Sequence, residues 1–230
     1  MAQRTYLGLL LTLALLGFLS DQVSKYGVFG WLATVESNTF ALFQTQPETR
    51  FLAVVPVPAD PLDRLAQRGF FLEVAFEPRQ QPNAPLVPHV NQGALFGLGR
   101  EHTTLANRLF AGISLIAAVG ILIWAFAAGG SRDRWLATAL GLILGGCLGN
   151  LYDRLVFNGV RDFLHWNYLF DWPVFNLADC CLVVGASMLL LQAFFTPQSS
   201  KQNHEPSPAG QEETPPAVSV GSIAKKSSIV

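Results

Sequence analysis

Four long apolar runs punctuate the chain, at Tyr6 to about Ser20, Leu109 to about Ala128, Trp135 to Gly149 and Ala178 to Phe195. Each predicts a helix able to enter a bilayer. A hydrocarbon core of ~30 Å needs ~20 residues of helix at ~1.5 Å apiece, so the first and third helices are expected to continue past Ser20 and Gly149. Asp21 and Asn150 then fall inside helices, near a membrane face. The expected fold class is mainly α, a polytopic membrane protein with four transmembrane helices.

Between the first two runs the pattern changes. Residues 33–105 form a long connection carrying Pro47, Pro56, Pro58, Pro61, Pro82, Pro85 and Pro88, a density that excludes helix and predicts loops and edge strands. Within it Phe70, Leu72, Val74 and Phe76 alternate with Phe71, Glu73, Ala75 and Glu77, the period of a half-buried strand. A small β-structured region on one membrane face is the simplest account. After Phe195 the chain turns to Pro, Ser, Gln, Glu and Lys, too polar to repay its ordering entropy. The expected organisation is a membrane domain over 1–196, containing the β-structured insertion of 33–105, and a disordered tail over 197–230.

Composition supports this picture. Half of the 230 residues are hydrophobic (50%) and only 13% are charged, with a mean hydropathy of +0.34. That places the chain among membrane proteins rather than soluble domains. A net charge of -1 without a basic stripe gives no footprint for nucleic acid. Arg4 and the short first run have the look of a secretory leader, but no small-x-small cleavage site follows, so a retained span is expected. With four spans both termini share one side. Arg4, Arg132, Arg134 and Lys201 lie near span ends on one side and Lys25, Arg100, Arg108, Arg154 and Arg161 on the other, so charge does not set the orientation. Cys147, Cys180 and Cys181 fit neither a disulfide framework nor a zinc site and read as small buried hydrophobes.

The candidate chemistry lies at the edges of the last two spans. Asn150, Asp153 and Arg154 stand at i, i+3 and i+4 and are expected to share a helix face, and Asn176 and Asp179 repeat the i, i+3 spacing. Asp162 lies between these clusters. Ionisable groups at membrane depth are costly and usually functional. Two carboxylates brought into one pocket cannot both ionise cheaply and share a proton, so that one activates a water while the other donates to a carbonyl. That chemistry is aspartyl peptide hydrolysis and calls for no metal or cofactor.

Each residue also has a structural reading. Asp153 and Arg154 could form an interfacial ion pair, Asn176 could cap the last helix, and Asp179 could favour its dipole. Asp21 and Lys25, at i and i+4, could form a salt bridge or brace the site from a neighbouring helix. His165 has no second ligand at metal-binding spacing and, beside Trp166, suits a membrane interface. Asn91 and Gly93 belong to a turn or strand where glycine permits close backbone approach. No nucleophile elbow, phosphate loop or dinucleotide fingerprint is found in the sequence.

The ordered series Asp21-x-x-Ser24-Lys25, Asn91-x-Gly93-Ala94, Gly145-Gly146-x-x-Gly149-Asn150-x-x-Asp153-Arg154, Gly159-Val160-x-Asp162-Phe163 and Phe175-Asn176-x-Ala178-Asp179 resembles lipoprotein signal peptidase, or signal peptidase II, over residues 1 to about 196. The resemblance implies a four-span inner-membrane aspartyl endopeptidase with its β-structured region and active site at the periplasmic face and both termini cytoplasmic. It implies cleavage of prolipoproteins just before a diacylglyceryl-modified cysteine. It makes Asp162 and Asp179 the catalytic pair and Asn150, Arg154 and Asn176 their support. Asp153 is implied to be a supporting residue, although spacing alone leaves it open as a member of the pair. Asp21, Lys25, Asn91 and Gly93 are implied to be structural or substrate-contacting. Expected partners are such prolipoproteins and membrane lipids, with the chain a monomer. The connection from Lys25 to Asn91 and the hydrophilic tail depart from the family pattern.

Two other classes of function compete. A proton or cation transporter using Asp153, Asp162 and Asp179 predicts polar residues through the depth of several spans, yet Leu109 to Ala128 and Trp135 to Gly149 are almost wholly apolar. A noncatalytic assembly protein predicts that loss of the aspartates disrupts folding or partner binding rather than turnover.

Overall fold

The computed structural model describes residues 6–34, 48–56, 69–79, 84–93, 103–127 and 133–195. The 197–230 tail, Ala94 and much of the proline-rich connection lie outside the described residues. In chain order the elements are α1 (Leu7–Thr34), β1 (Glu48–Pro56), β2 (Gly69–Phe76), α2 (Thr103–Ala127), α3 (Arg134–Val156), β3 (Leu164–Asn167) and α4 (Leu177–Phe195). All four helices are long and apolar enough to cross a membrane, and the protein is a multi-pass membrane protein of mainly α fold with a small sheet.

Helices α1 and α3 do continue past Ser20 and Gly149. The 28 residues of α1 give about 42 Å of helix, more than a bilayer core requires. Asp21 and Lys25 therefore stand toward the end of the crossing, and the last turns of α1 are left to pack on the sheet.

Helix α3 is the hub. Asp133 caps its N-terminus, accepting from the Trp135 amide at 2.8 Å. Past Phe157, Asn158 takes the left-handed conformation with φ 58°, as Asn does after a helix end. Along the face toward α1 run Gly141, Gly145 and Gly149. A Cβ on Gly145 would lie 2.8 Å from the Ala14 carbonyl oxygen, and one on Gly149 would lie 2.6 Å from Asp21 Oδ2. On the α4 side, a Cβ on Gly146 would lie 2.5 Å from the Ala178 carbonyl oxygen. Lipid gives little hydrophobic drive between helices, so close backbone approach at small residues is what packs them. The apolar faces of α2 and α4 carry exposed Ile113, Ile116, Ile123, Val183, Leu190 and Phe194, as lipid-facing surfaces do.

The sheet is antiparallel in the order β1-β2-β3. Pro56 is the last residue of β1, an edge strand, where a missing amide is tolerated. A second core forms where Phe29 and Leu32 of α1 meet Val74 and Phe76 of β2 with Phe163 and Leu164. Arg50 closes this junction, donating to the carbonyls of Leu32 at 3.0 Å and Ala33 at 2.9 Å, a cation on the orphan acceptors of a helix end. The strand predicted around Phe70–Glu77 forms as β2, but its alternation is imperfect. Phe70 and Leu72 are only half-buried, although they pack on the core with Val74 and Phe76, while Phe71 on the other face is buried with its ring centre 6.2 Å from that of its cross-strand partner His165.

Candidate active site

Asp162 sits on the non-helical segment leading into β3, and Asp179 in the first turn of α4. Both line one cavity of about 650 Å³, together with Asn91, Gly93, Asn150 and Arg154. Phe110, Val183 and Val184 give part of its wall an apolar surface.

The local sequence explains how α4 presents its acid. Asn176 precedes the helix, and its Oδ1 accepts from the Asp179 amide at 3.1 Å while Asp179 Oδ2 accepts from the Asn176 amide at 3.2 Å. This is a reciprocal capping box built from Asn and Asp. The structural reading of the pair thus holds, and it leaves polar atoms over for the cavity. Asn176 Nδ2 donates to Asp162 Oδ1 at 2.7 Å, and Asn150 Nδ2 donates to Asp179 Oδ1 at 2.8 Å. Asn176 Nδ2 also reaches Asn150 Oδ1 at 3.2 Å, which links the two carboxylates through two side-chain amides. Asn91 Nδ2 supplies Asp162 Oδ2 at 3.1 Å.

Asp162 lies outside the spans, and burial, followed by the charge of Asp179, pushes its pKa up to about 7 against the hydrogen bonds from Asn176 and Asn91. A carboxyl near neutrality beside a second carboxylate is the arrangement for general acid and base work on one substrate.

Behind the cavity lies a buried set of charges. Lys25 Nζ meets Asp21 Oδ2 at 2.7 Å and Asp153 Oδ2 at 3.3 Å, and Arg161 meets Asp153 Oδ1 at 2.8 Å. Two acids balance two cations, the condition under which buried charges are tolerated. Asp21 and Lys25 are therefore both a salt bridge and a brace, since Asp21 Oδ1 also accepts from the Ala178 amide at 3.0 Å and so helps to cap α4. Lys25 Nζ further reaches Asn150 Oδ1 at 3.4 Å, joining this set to the amides of the site.

Some expectations need correction. Asn150, Asp153 and Arg154 do not project together. Neighbouring helical residues point ~100° apart, and Asp153 turns to Lys25 and Arg161 while Arg154 turns to the cavity. The ion pair considered between them does not form. Arg154 donates to the Asn150 carbonyl at 3.3 Å and lies over the Phe110 ring at 5.5 Å, with a buried Nε that finds no hydrogen-bond partner among the described residues. Arg161, counted from the sequence among charges near span ends, is only 2% exposed. Of the cysteines only Cys147 is buried, and Cys180 lines the cavity.

Gly93 makes a close approach: its φ is 103°, and a Cβ there would lie 2.7 Å from the Phe110 ring. His165 places its ring between Glu73, which meets Nδ1, and Asp171 Oδ1, 2.7 Å from Nε2. Burial works to lower its pKa, but Asp171 and Glu73 favour the charged ring and the net shift is upward. Among the described residues no group of three or more His, Cys, Asp and Glu is arranged to hold a metal ion. Sequence reasoning overlooked Gln22, Arg161 and Asn107. Gln22 and Arg161 adjoin motif residues, the one signal available, and Asn107 of α2 donates to Asn158 Oδ1 at 3.0 Å.

Fold and site together define a helical integral membrane protein whose polar side chains gather around two carboxylates. Comparison with known proteins gives the family. A family model described as signal peptidase (SPase) II matches residues 65–195. The lipoprotein signal peptidase of Rhodopirellula baltica is 46% identical over 118 residues, covering 46% of this chain and 51% of that protein, so the match spans about half of the relative's length. That of Pseudomonas aeruginosa is 40% identical over 116 residues, 50% of this chain and 68% of the relative. That of a Methylobacterium species is 36% identical over 140 residues, 59% and 83% respectively. A solved bacterial membrane enzyme, determined by the in meso method at 2.3 Å resolution, shares the fold with a TM-score of 0.55 at 22% identity, covering 89% of this chain and 98% of that one. The chain belongs to the signal peptidase II family.

Proposed function

We propose that this protein is a membrane aspartyl endopeptidase that removes signal peptides from bacterial prolipoproteins, cutting just before the diacylglyceryl-modified cysteine. The observation that carries the reading is the convergence of Asp162 and Asp179 on one cavity, each held by a side-chain amide, at 2.7 Å from Asn176 and 2.8 Å from Asn150. In this reading the pair holds one proton. The ionised carboxylate takes a proton from a water as it attacks the scissile carbonyl, and the protonated partner donates to the carbonyl oxygen. The resulting diol collapses as the acid that took the proton from water gives it to the leaving amine and a diol hydroxyl returns its proton to the other acid, so the pair again holds one proton. Asn150 and Asn176 hold the acids in register, and Arg154, whose charge faces the cavity, stabilises the developing oxyanion.

The apolar wall formed by Phe110, Val183 and Val184 suits a substrate whose lipid stays in the bilayer while its scissile bond reaches the aqueous edge. By its resemblance to the signal peptidase II family we place it in the inner membrane, with the carboxylates at the periplasmic face, and take it to act as a monomer.

The test is cleavage of a synthetic prolipopeptide, with and without its diacylglyceryl group, by the purified protein in lipid nanodiscs. Mass spectrometry should find one cut, immediately before the modified cysteine, and little turnover of the unlipidated peptide. Cleavage at other bonds, or indifference to the lipid, would contradict the substrate assignment.

A further inference from the structure

Asp162 stands on neither a helix nor a strand, so its accuracy in the cavity depends on what holds the segment around it. On one side Asn91 and Val160 exchange backbone hydrogen bonds at 2.8 Å each, and the Phe163 amide donates to the Phe175 carbonyl at 3.0 Å. On the other side stands Arg161. Its amide donates to Asp153 Oδ2 at 2.9 Å, its Nη2 donates to Asp153 Oδ1 at 2.8 Å and to Gln22 Oε1 at 2.9 Å, and its Nε reaches Asp153 Oδ2 at 3.3 Å. The guanidinium lies 4.2 Å from the centre of the Tyr26 ring and 4.0 Å from that of Phe157. Neither Arg161, Asp153 nor Gln22 lines the cavity.

We propose that Arg161 is a positioning residue: clamped on Asp153 of α3 and Gln22 of α1, it ties the segment carrying Asp162 to the two helices and so sets where that carboxylate stands. The proposal rests on the reading of Asp162 as one of the two catalytic carboxylates.

The geometry requires arginine in particular. A planar fork can grip a carboxylate with two nitrogens, reach a second acceptor and stack on rings at once, whereas an ammonium can supply the charge without the fork. Gln22 is oriented for its part. Its Nε2 donates to Asp21 Oδ2 at 3.0 Å, the Gly149 carbonyl at 3.2 Å and Asp153 Oδ1 at 3.3 Å, which leaves Oε1 for Arg161. Asp153 has a second cation in Lys25 at 3.3 Å. Loss of the Arg161 side chain therefore leaves the acid partnered in the bundle, while the segment next to Asp162 loses its side-chain tie to both helices and keeps its backbone hydrogen bonds. Sites on loops need such support from outside, and misplacement of ~1 Å can cost about 10²-fold in rate.

The experiment compares wild type with Arg161→Met, Arg161→Lys, Gln22→Met and Asp162→Asn in one nanodisc assay with the lipidated peptide, measuring kcat, KM and thermal unfolding for each. The expected result is a fall in kcat of about 10²-fold for Arg161→Met and about 10-fold for Arg161→Lys and Gln22→Met, with KM within about twofold of wild type. Activity should be lost per folded molecule. Arg161→Lys keeps the charge and decides the matter if Arg161→Met does not fold. Wild-type kcat in a folded Arg161→Lys together with a folded Gln22→Met or Arg161→Met would overturn the proposal, as would losses that merely follow the unfolded fraction. Turnover by Asp162→Asn would overturn it for a different and recognisable reason, because the carboxylate being positioned would then not be needed.

Discussion

Asn176 donates its side-chain amide to Asp162 at 2.7 Å while its main-chain amide donates to Asp179 at 3.2 Å. One residue thus caps a membrane helix and holds both carboxylates of the site. Replacing Asn176 with Ala should therefore do two separable things. Loss of the cap is expected to lower stability by about 1 kcal/mol. Loss of the amide between the acids is expected to reduce kcat by about 10²-fold. Thermal unfolding and steady-state kinetics on the folded fraction check the two effects independently.

The pH dependence follows from Asp162, whose pKa is raised to about 7. If this group carries the proton of the pair, it is neutral below that value and ionised above it. Turnover should therefore fall on the alkaline side with an apparent pKa of the pair near 7. The linked effect on stability has the same origin. The unfolded acid ionises from its ordinary value of 3.8 while the folded one holds its proton to about 7, so in that interval the folded state binds more protons and stability declines as pH rises. In Asp162→Asn this decline is absent. Melting curves of the variant relative to wild type should shift in the variant's favour between pH 4 and pH 8, by on the order of 1 kcal/mol or more.

Lys25 is fully buried against Asp21 and Asp153. Lys25→Met leaves those acids with one cation fewer and should destabilise by roughly 3–5 kcal/mol. Adding Asp21→Asn to Lys25→Met should recover part of that loss. A double-mutant cycle read by unfolding of the detergent-solubilised protein measures the coupling.

Glycines on different helices should respond oppositely. Gly149→Ala puts a methyl 2.6 Å from Asp21 Oδ2, inside the contact between α1 and α3, and is expected to cost roughly 1–3 kcal/mol. Gly112 on α2 has no atom of the described residues within 4 Å of its missing Cβ, so Gly112→Ala should be neutral or stabilising by up to about 1 kcal/mol. Parallel melting curves distinguish the two.

Much of the architecture is legible in the sequence because it rests on local pattern. Apolar runs and bilayer thickness suffice to predict the extension of α1 past Ser20, and alternation suffices to predict β2. Strand β3, with 4 residues, is too short to announce itself and exists because β2 offers it an edge. The site is legible as a list of polar residues at span ends, and far less so as an arrangement. Asp153 and Arg154 look like one unit in the sequence, yet a helix turns them apart. Arg161 reaches Gln22 across 139 residues of chain, a contact no spacing rule contains. Burial of that arginine depends on Tyr26, Phe157 and Asp153 meeting around it, which only the packed bundle brings about.

The central claim is that Asp162 and Asp179 together perform peptide hydrolysis. Its most direct measurement is processing of a diacylglyceryl prolipoprotein by purified wild type, Asp162→Asn and Asp179→Asn, with folding of each verified by thermal unfolding. Wild type should release the intact signal peptide, and each folded variant should lose at least about 10³-fold in kcat, since neither acid can replace the other in moving the proton. Cleavage by either folded variant at near the wild-type rate, or a folded wild type that leaves the substrate uncut, would contradict the account.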